Sequence, residues 1–428
     1  MKKKVNNKIF IYVLIFIIII LVIFYFKNKR VNNIGDLDQV ISDSVFYVAQ
    51  NEKGANNDNN GLYPTFKGGN NGPFKDLNFD KIKLPSKPFK ILLRSGYYKV
   101  PSNGLHIYES GNEDNYIVLS NYKDEKVIID GNGNDIAIKL DGNYVILENL
   151  EIKNSKIYNL QIKSSNYNLQ IKSSNVIIRN NKLHDSYEDG IKVLSSASDI
   201  LIENNEIYDF NKEGIDVFGS KIKINSNYMH DGKNSNLHNE NHCFLAKGGA
   251  EDVLFSNNIC KNLESDWGGS IILGGVTGTK YNKIINGNVM PQGTRIKAIN
   301  NTISNIKGGA VSFIECIDCE FSNNKVIDVT WGIKFVSGSN YDTQDVVVKN
   351  NNFKIVKNGF IALIEMPTQF REFDYNLYDS DNIEYILSEK SKYKEDLEVT
   401  EQINGNNRRE VSLNEIKNKG LEVNSIYK

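Results

Sequence analysis

Runs of alternating apolar and polar residues recur along the chain from residue 176 onward. The segments VIIRNN, ILIENN, KIKINSN and VLFSNN each carry apolar residues at every second position. Because successive side chains of a strand point to opposite faces, this pattern predicts short strands with one buried face. The residues expected to fill the interior include Ile178, Ile202, Ile224 and Phe255. Those expected to face outward include Arg179, Glu203 and Asn225.

Each of these runs ends in Asn-Asn or Ser-Asn, and this ending returns at nearly regular intervals. The final asparagine falls at positions 181, 205, 227, 258, 301, 324 and 351, with spacings of 24, 22, 31, 43, 23 and 27 residues. A period near 23 with occasional insertions is typical of a solenoid. The strands favour a parallel β-helix over a leucine-rich repeat, whose leucine-asparagine consensus is missing. Because Asn tolerates left-handed backbone, stacked asparagines are expected to form a structural ladder at one corner.

Residues 9–26 read IFIYVLIFIIIILVIFYF and contain no charge. At 1.5 Å per residue, a helix of this length spans about 27 Å, enough for the hydrocarbon core of a bilayer. Four lysines precede the segment, and the slight excess of positive charge favours a cytoplasmic N-terminus. Since no A-x-A-like cleavage site follows, we expect one uncleaved transmembrane helix, with residues 31–428 outside the cytoplasm.

The charge and cysteine content argue against nucleic-acid binding, a disulfide scaffold and a zinc site. The chain has 51 Lys and Arg against 52 Asp and Glu, which argues against nucleic-acid binding by bulk electrostatics. Four cysteines are too few to predict a disulfide scaffold in a chain of 428 residues. The C-x-x-C at 316–319 has no second pair, so a structural role is favoured over zinc binding.

The entry segment FYVAQNEKGANNDNNGLYPTFKGGNNGPFKDL is followed by ILLRSGYYKV and then by SGNEDNYIVLSNYKDEKVIIDGNG. Together with the coils, it resembles the right-handed parallel β-helix proteins of the pectate-lyase superfamily. The resemblance implies an all-β, single-stranded right-handed parallel β-helix that acts on polysaccharide, with its cleft along the first strand of each coil. The expected organisation is an anchor at 1–30, a linker at 31–44, the β-helix at 45–375, and a C-terminal cap with a charged tail at 376–428.

The resemblance also assigns side chains to faces. The outward residues of successive first strands would include Lys192, Asp216 and Lys247, and the outward column of the third strands would be His184, Tyr208, His230 and Lys261. Two insertions, from His230 to Cys243 and at 274–294, interrupt the coils near this cleft. Long loops on one face of a solenoid usually mark its binding face.

The reaction implied by the resemblance is β-elimination from a uronic-acid-containing polysaccharide. It requires a neutralised sugar carboxylate, a base for the adjacent proton, and an acid for the leaving oxygen. Asp189, Glu213 and Asp216 offer the oxygen ligands that Ca²⁺ prefers. The candidate catalytic residues are Lys247 or His242 as the base, Lys192 as the neutralising charge, and His230. The candidate substrate-binding residues are His184, Tyr208, His238 and Lys261.

Each candidate also has a structural explanation. An outward lysine is usually solvated, His184 and His230 could stack on Tyr208, and acidic residues beside glycines often form turns. His106 has no comparable neighbour in the sequence and is expected to be structural. A glycoside hydrolase is a second hypothesis, but the RIK at 295–297 aligns with a second strand instead of a first strand. A non-catalytic, surface-anchored glycan-binding solenoid is the third.

Overall fold

The computed structural model describes residues 44–82, 84–85, 88–162, 174–233, 241–265, 268–278, 281–336, 338, 340–355, 360–364, 369–379, 384–388, 401–403 and 406–427. The predicted anchor at 9–26 and most of the linker at 31–44 lie outside these residues. Within the described ranges, no helix is long and apolar enough to cross a membrane.

Short strands follow one another from the start of the described chain. The first coils comprise β1 (Val45–Val48), β2 (Lys90–Leu93), β3 (Gly96–Lys99), β4 (Leu105–Ile107), β5 (Ile117–Asn121), β6 (Val127–Asp130), β7 (Ile136–Leu140), β8 (Val145–Glu148), β9 (Glu151–Ser155) and β10 (Tyr158–Ile162). The central coils comprise β11 (Ser174–Arg179), β12 (Lys182–Ser186), β13 (Asp189–Val193), β14 (Ser198–Glu203), β15 (Glu206–Phe210), β16 (Glu213–Val217), β17 (Ser220–Asn225), β18 (Tyr228–Gly232), β19 (His242–Ala246), β20 (Ala250–Ser256), β21 (Ile259–Leu263) and β22 (Gly269–Gly274).

The C-terminal coils contain longer strands that turn a corner. They comprise β23 (Ile284–Ile285), β24 (Asn288–Val289), β25 (Gly293–Ile299), β26 (Thr302–Ile314), β27 (Cys316–Ile317), β28 (Glu320–Ser322), β29 (Lys325–Val336), β30 (Val346–Lys349), β31 (Asn352–Ile355), β32 (Ala362–Ile364), β33 (Phe370–Asp374) and β34 (Leu377–Asp379). The chain ends with β35 (Glu384–Ser388), β36 (Glu401–Ile403), β37 (Asn406–Ser412), α1 (Leu413–Asn418) and β38 (Ile426–Tyr427).

Three strands per coil stack into three parallel faces. The second strands pair in the order β1, β2, β5, β8, β11, β14, β17, β20, β25, β28, β30 and β33. We call the face formed by β4, β7, β10, β13, β16, β19 and β22 the first-strand face. The face formed by β6, β9, β12, β15, β18 and β21 is the third-strand face. The predicted parallel β-helix is therefore confirmed.

The inward positions predicted from the alternating pattern are also confirmed. Ile178 pairs in register with Ile202, Ile202 with Ile224, and Ile224 with Phe255, and all four side chains are fully buried. The stacked apolar rows continue through the described coils as one hydrophobic core. Burial of these side chains is the main favourable contribution to the fold.

The asparagine ladder forms as predicted and continues to Asn376. In a typical rung, the backbone N–H and the Nδ2 of Asn205 both donate to Oδ1 of Asn227, each at 3.0 Å. The same Nδ2 donates to the carbonyl of Ile178 at 2.9 Å. The residue before each ladder asparagine takes positive φ, as Asn204 does at 54°. Asn suits the position because its amide supplies both a donor and an acceptor to the buried corner.

The four cysteines form two disulfides, which the sequence analysis did not predict. Cys243 on β19 and Cys260 on β21 form a buried disulfide across the coil, and Cys316 is bonded to Cys319. Pairing depends on which cysteines face each other across the interior, and the number of cysteines does not show this.

Part of the segment expected to be a charged tail packs onto the end of the solenoid. β35 and β36 pair antiparallel with β37, and Val411 and Ile416 join the hydrophobic core. The helix α1 begins at a capping box formed by Ser412 and Glu415. The described part of 376–428 therefore closes the open end of the coil.

Candidate functional site

Two glycines bring the predicted acidic residues together at the start of β13 and β16. A Cβ at Gly190 would lie 2.7 Å from the carbonyl oxygen of Gly214, so the neighbouring strands approach too closely for a side chain there. Ile191 pairs in register with Ile215, which places Asp189 beside Glu213. The sequence signals EDG and KEG mark this close approach.

Asp189, Glu213 and Asp216 form a buried carboxylate group on the first-strand face. One oxygen of each lies within 4.8 Å of the others, and each side chain is at most 2% exposed. Both oxygens of Asp189, Oε2 of Glu213 and Oδ1 of Asp216 have no hydrogen-bond partner. Buried carboxylate oxygens without donors are costly, so this group suits a cation or an incoming donor.

Burial and mutual contact shift the pKa values of Asp189 and Glu213 in opposite directions. Burial, followed by the charge of Glu213, raises the pKa of Asp189 well above its usual range. Burial also opposes ionisation of Glu213, but the neighbouring Asp189 carboxyl group and the ammonium groups of Lys212 and Lys247 lower its pKa to about 2. Asp189 therefore carries the proton, and Glu213 carries the charge.

Two of the predicted lysines reach the carboxylates from adjacent coils. Lys192 pairs in register with Asp216, and its ammonium contacts the Asp216 carboxylate directly. The Nζ of Lys247 lies 3.9 Å from Oε1 of Glu213 and 4.0 Å from Oδ2 of Asp216. Burial lowers the pKa of Lys192, but the charges of Asp216 and Asp189 outweigh it and raise that pKa overall. Lys192 is therefore a fixed positive charge.

His242 lies in the next rung beside Glu213, as the register of β16 and β19 shows. Its Nδ1–H donates to the carbonyl of Gly269 at 2.7 Å. In the neutral ring this places the lone pair on Nε2. A Cβ at Gly268 would come within 2.1 Å of the ring, so glycine there leaves room for the imidazole.

Two functional candidates were missed from the sequence. Lys212 stands directly before Glu213, and its Nζ lies 3.7 Å from Oε2 of that residue. The ring of Phe218 lies under both predicted lysines, 4.3 Å from Nζ of Lys192 and 5.7 Å from Nζ of Lys247. A charged residue adjoining EG was a usable signal for Lys212, whereas nothing in the sequence pattern singled out Phe218.

The insertion at 274–294 lies against this cluster. A Cβ at Gly275 would contact the side chain of Lys247 at 3.0 Å, and the ring of Tyr281 meets that of Phe218 at 6.2 Å. Gln292 accepts hydrogen bonds from the backbone of the two residues after Lys247. The insertion therefore walls one side of the cluster. In the other insertion, residues 234–240, with His238, lie outside the described residues.

The remaining candidates form a separate column on the third-strand face. The ring of Tyr208 stacks between His184 at 4.6 Å and His230 at 5.1 Å, and Lys261 occupies the next rung. Nδ1 of His184 lies 2.9 Å from Asp185. The predicted catalytic set is thus divided, because His230 belongs to a third strand and faces a different side of the coil from His242.

The basic motif considered for a hydrolase lies on the second-strand sheet. Arg295 and Lys297 are in β25, and Arg295 forms ion pairs with Asp252 at 2.6 Å and with Glu251. The motif therefore faces away from the first-strand face, as its alignment with second strands predicted.

Comparisons with known proteins agree with the fold. The protein-family model described as 'Right handed beta helix region' matches residues 98–282. A search of curated protein sequences finds no match. Among solved structures, the chain is similar to pectate lyase Pel9A at 14% identity, covering 80% of this chain and 79% of that chain, with a TM-score of 0.43. It is also similar to an alginate lyase from Paenibacillus sp. str. FPU-7, at 12% identity, 70% and 89% coverage and a TM-score of 0.37.

A third similar structure is the PL6 family polysaccharide lyase Pedsa3628 from Pseudopedobacter saltans, at 11% identity, 79% and 86% coverage and a TM-score of 0.40. Identities this low concern the fold alone. The family match agrees with the stacked parallel coils and the asparagine ladder, so the chain is similar over residues 98–282 to right-handed β-helix proteins.

Proposed function

We propose that the protein is a lyase that cleaves a uronate-containing polysaccharide by β-elimination. The observation that carries this proposal is the cluster on the first-strand face, where buried carboxylates, lysines and His242 meet beside an insertion. Polar groups that shift one another's pKa values in a buried position are typical of functional sites. The cluster supplies each of the charges that the reaction requires.

Lys247 is the proposed base. In its uncharged form the amine removes the proton from the carbon next to the sugar carboxylate, a carbon–carbon double bond forms, and the bond to the leaving oxygen breaks. Lys192 remains protonated, because neighbouring carboxylates raise its pKa. Its ammonium group is the proposed partner of the sugar carboxylate. His242 is the second candidate for proton transfer and supplies a proton to the leaving oxygen when its ring is charged.

Asp189, Glu213 and Asp216 are the residues that would hold a hard cation such as Ca²⁺. Their oxygens without hydrogen-bond partners suit such an ion, which prefers carboxylate ligands. A bound Ca²⁺ would neutralise the uronate carboxylate and stabilise the charge that develops on it.

The test is turnover on a panel of uronate polysaccharides, followed by ultraviolet absorbance of the unsaturated product. Lys247→Ala should lower turnover by about 10²–10⁴-fold, since a positioned acid or base contributes about that much. Lys223→Ala, which removes an exposed lysine from the second-strand sheet, is the matched control and should retain activity. If Asp216 holds the cation, chelation should reproduce the effect of Asp216→Asn, and added Ca²⁺ should restore only the unmutated protein.

Other outcomes would identify the alternatives. A glycoside hydrolase would release reducing ends without ultraviolet absorbance. A glycan-binding solenoid would show affinity without an unsaturated product. In that case neither the unmutated protein nor Lys247→Ala would show turnover. Either result would overturn the proposed elimination.

We also propose that residues 9–26 anchor the protein in a membrane, with the β-helix outside the cytoplasm. The disulfides Cys243–Cys260 and Cys316–Cys319 support this, because disulfides persist mainly in oxidising compartments. The protein should stay with membranes during an alkaline wash, and protease added to intact cells should remove the β-helix. A soluble form lacking residues 1–26 would contradict the anchor.

A further inference from the structure

A second cavity lies on the same face as the cluster, nearer the N-terminal end of the solenoid. Its volume is about 610 Å³, and its lining includes Phe79, Asp80, Gly104, His106, Tyr108 and Lys139. Its lining includes residues of β4 and Lys139 of β7, and both strands belong to the first-strand face. None of these residues takes part in the proposed elimination.

The register aligns this cavity with the cluster. His106 pairs with Lys139, Lys139 with Gln161, and Gln161 with Lys192. Neighbouring strands lie about 4.8 Å apart, so three steps separate His106 from Lys192 by about 14 Å. A polymer whose reacting sugar lies at Lys192 can therefore reach the cavity by following one column of side chains.

The cavity offers an exposed aromatic ring beside polar groups. Tyr108 is 49% exposed, its ring meets that of His106 edge-on at 5.1 Å, and its hydroxyl donates to Asp80 at 3.3 Å. Such an amphipathic ring suits the mixed apolar and hydroxylated surface of a sugar. His106, which the sequence analysis expected to be structural, lies beside this ring.

Asp141 contacts His106, which lines the cavity, and carries an acceptor oxygen without a hydrogen-bond partner. Its Oδ2 lies 2.5 Å from Nε2 of His106, whereas its Oδ1 is buried without a hydrogen-bond partner. A hydroxyl group is the kind of donor that would satisfy this oxygen. The oxygen is a separate observation from the exposed ring, and both point to a hydroxylated ligand.

We propose that this cavity is a distal subsite that binds sugar residues of the polysaccharide chain, at a distance from the bond that is cleaved. The ring of Tyr108 packs on a sugar, and Asp141 accepts a sugar hydroxyl. The subsite rests on the proposed function for its substrate class. It implies that long chains bind more tightly than short ones, because only long chains fill both places.

The experiment compares Tyr108→Ala with the unmutated protein on a short and a long oligomer of the uronate polysaccharide that gives turnover. For the long oligomer, Tyr108→Ala should raise KM about tenfold with little change in kcat. For the short oligomer, KM should not change. Asp141→Leu, which removes the acceptor, should show the same selective loss, and Tyr427→Ala, which removes another exposed tyrosine on β38, should show none.

The failure of this inference differs from the failure of the proposed function. Equal KM values for Tyr108→Ala and the unmutated protein on the long oligomer would overturn the subsite, and so would an equal loss on both oligomers. If no polysaccharide yields unsaturated product, the same variants are compared by electrophoresis in gels that contain each uronate polysaccharide of the panel. Binding is then measured as retardation of the protein. Weaker retardation of Tyr108→Ala would then support the subsite in a binding protein. Equal retardation, or none for the unmutated protein, would overturn it.

Discussion

The C-terminal end of the asparagine ladder is closed by Glu422, whose buried carboxyl group should make stability depend on pH. Nδ2 of Asn376, the last ladder residue, lies 3.3 Å from Oε2 of Glu422. The hydroxyls of Tyr378 and Ser425 also donate to the Glu422 carboxyl group. Burial is the largest influence on this group, and despite these donors it raises the pKa of Glu422 from 4.5 to about 7.

The sign of the effect follows from proton binding. Since the folded protein holds the Glu422 proton more tightly than the unfolded chain, the contribution to stability is fully present below about pH 4.5 and is lost as pH rises through about 7. One pH unit of pKa difference corresponds to about 1.36 kcal/mol, so the free energy of unfolding should fall by about 3 kcal/mol across this window. Glu422→Gln keeps the shape and removes the titration.

Denaturant unfolding across this pH range measures the effect. Glu422→Gln should unfold at a nearly unchanged denaturant concentration at low pH and at a higher concentration than the unmutated protein above pH 7. Glu264→Gln, which replaces an exposed glutamate, is the control and should follow the unmutated protein. If Glu422→Gln and the unmutated protein show the same pH dependence, the carboxyl group is not buried at the end of the ladder as described.

Two further predictions concern the solenoid interior. Ile202→Asp should unfold the protein, because an unpaired buried charge costs several kcal/mol. Glu203→Gln on the outward side should change the free energy of unfolding by less than about 0.5 kcal/mol. If denaturant unfolding showed the two variants to be equally destabilised, the assigned register would be wrong. Replacing Cys243 and Cys260 by serine should destabilise the protein by about 3 kcal/mol, as the loop entropy of a comparable ring indicates. A reductant should lower the Tm of the unmutated protein more than that of the variant, and an equal response would refute this role.

The fold could be predicted because a solenoid repeats one local pattern. Each coil places an apolar residue at the same inward position and an asparagine at the same corner, so Ile202 and Asn205 could be assigned without knowledge of distant contacts. The disulfide Cys243–Cys260 could not be assigned in this way. Its residues lie on different strands of one coil, and only the three-dimensional course of the chain brings them together.

The site could be predicted where its residues occupy equivalent rungs. Asp189 and Glu213 are 24 residues apart, which is one coil, and Lys192 and Asp216 share the same spacing. Phe218 could not be singled out in this way, because the equivalent residue one coil earlier is Leu194 and carries no related chemistry. The sequence also gave no sign that the outward face would be covered, whereas the side chain of Lys192 is 8% exposed.

The side chains of the first-strand face differ in polarity on the two sides of the cluster, and this difference gives the proposed cleft a direction. On the N-terminal side of the cluster, the column that leads to Lys192 is polar, with Lys139 and Gln161 in successive rungs. On the C-terminal side, the next two rungs of the column are Leu245 and Ile272, each 5% exposed, and polar residues return only further on, at Ser312 and Lys334. Buried apolar side chains give a sugar hydroxyl no partner, whereas charged and amide groups do. A polysaccharide bound at Lys192 should therefore extend toward the N-terminal coils, where the exposed ring of the distal subsite lies.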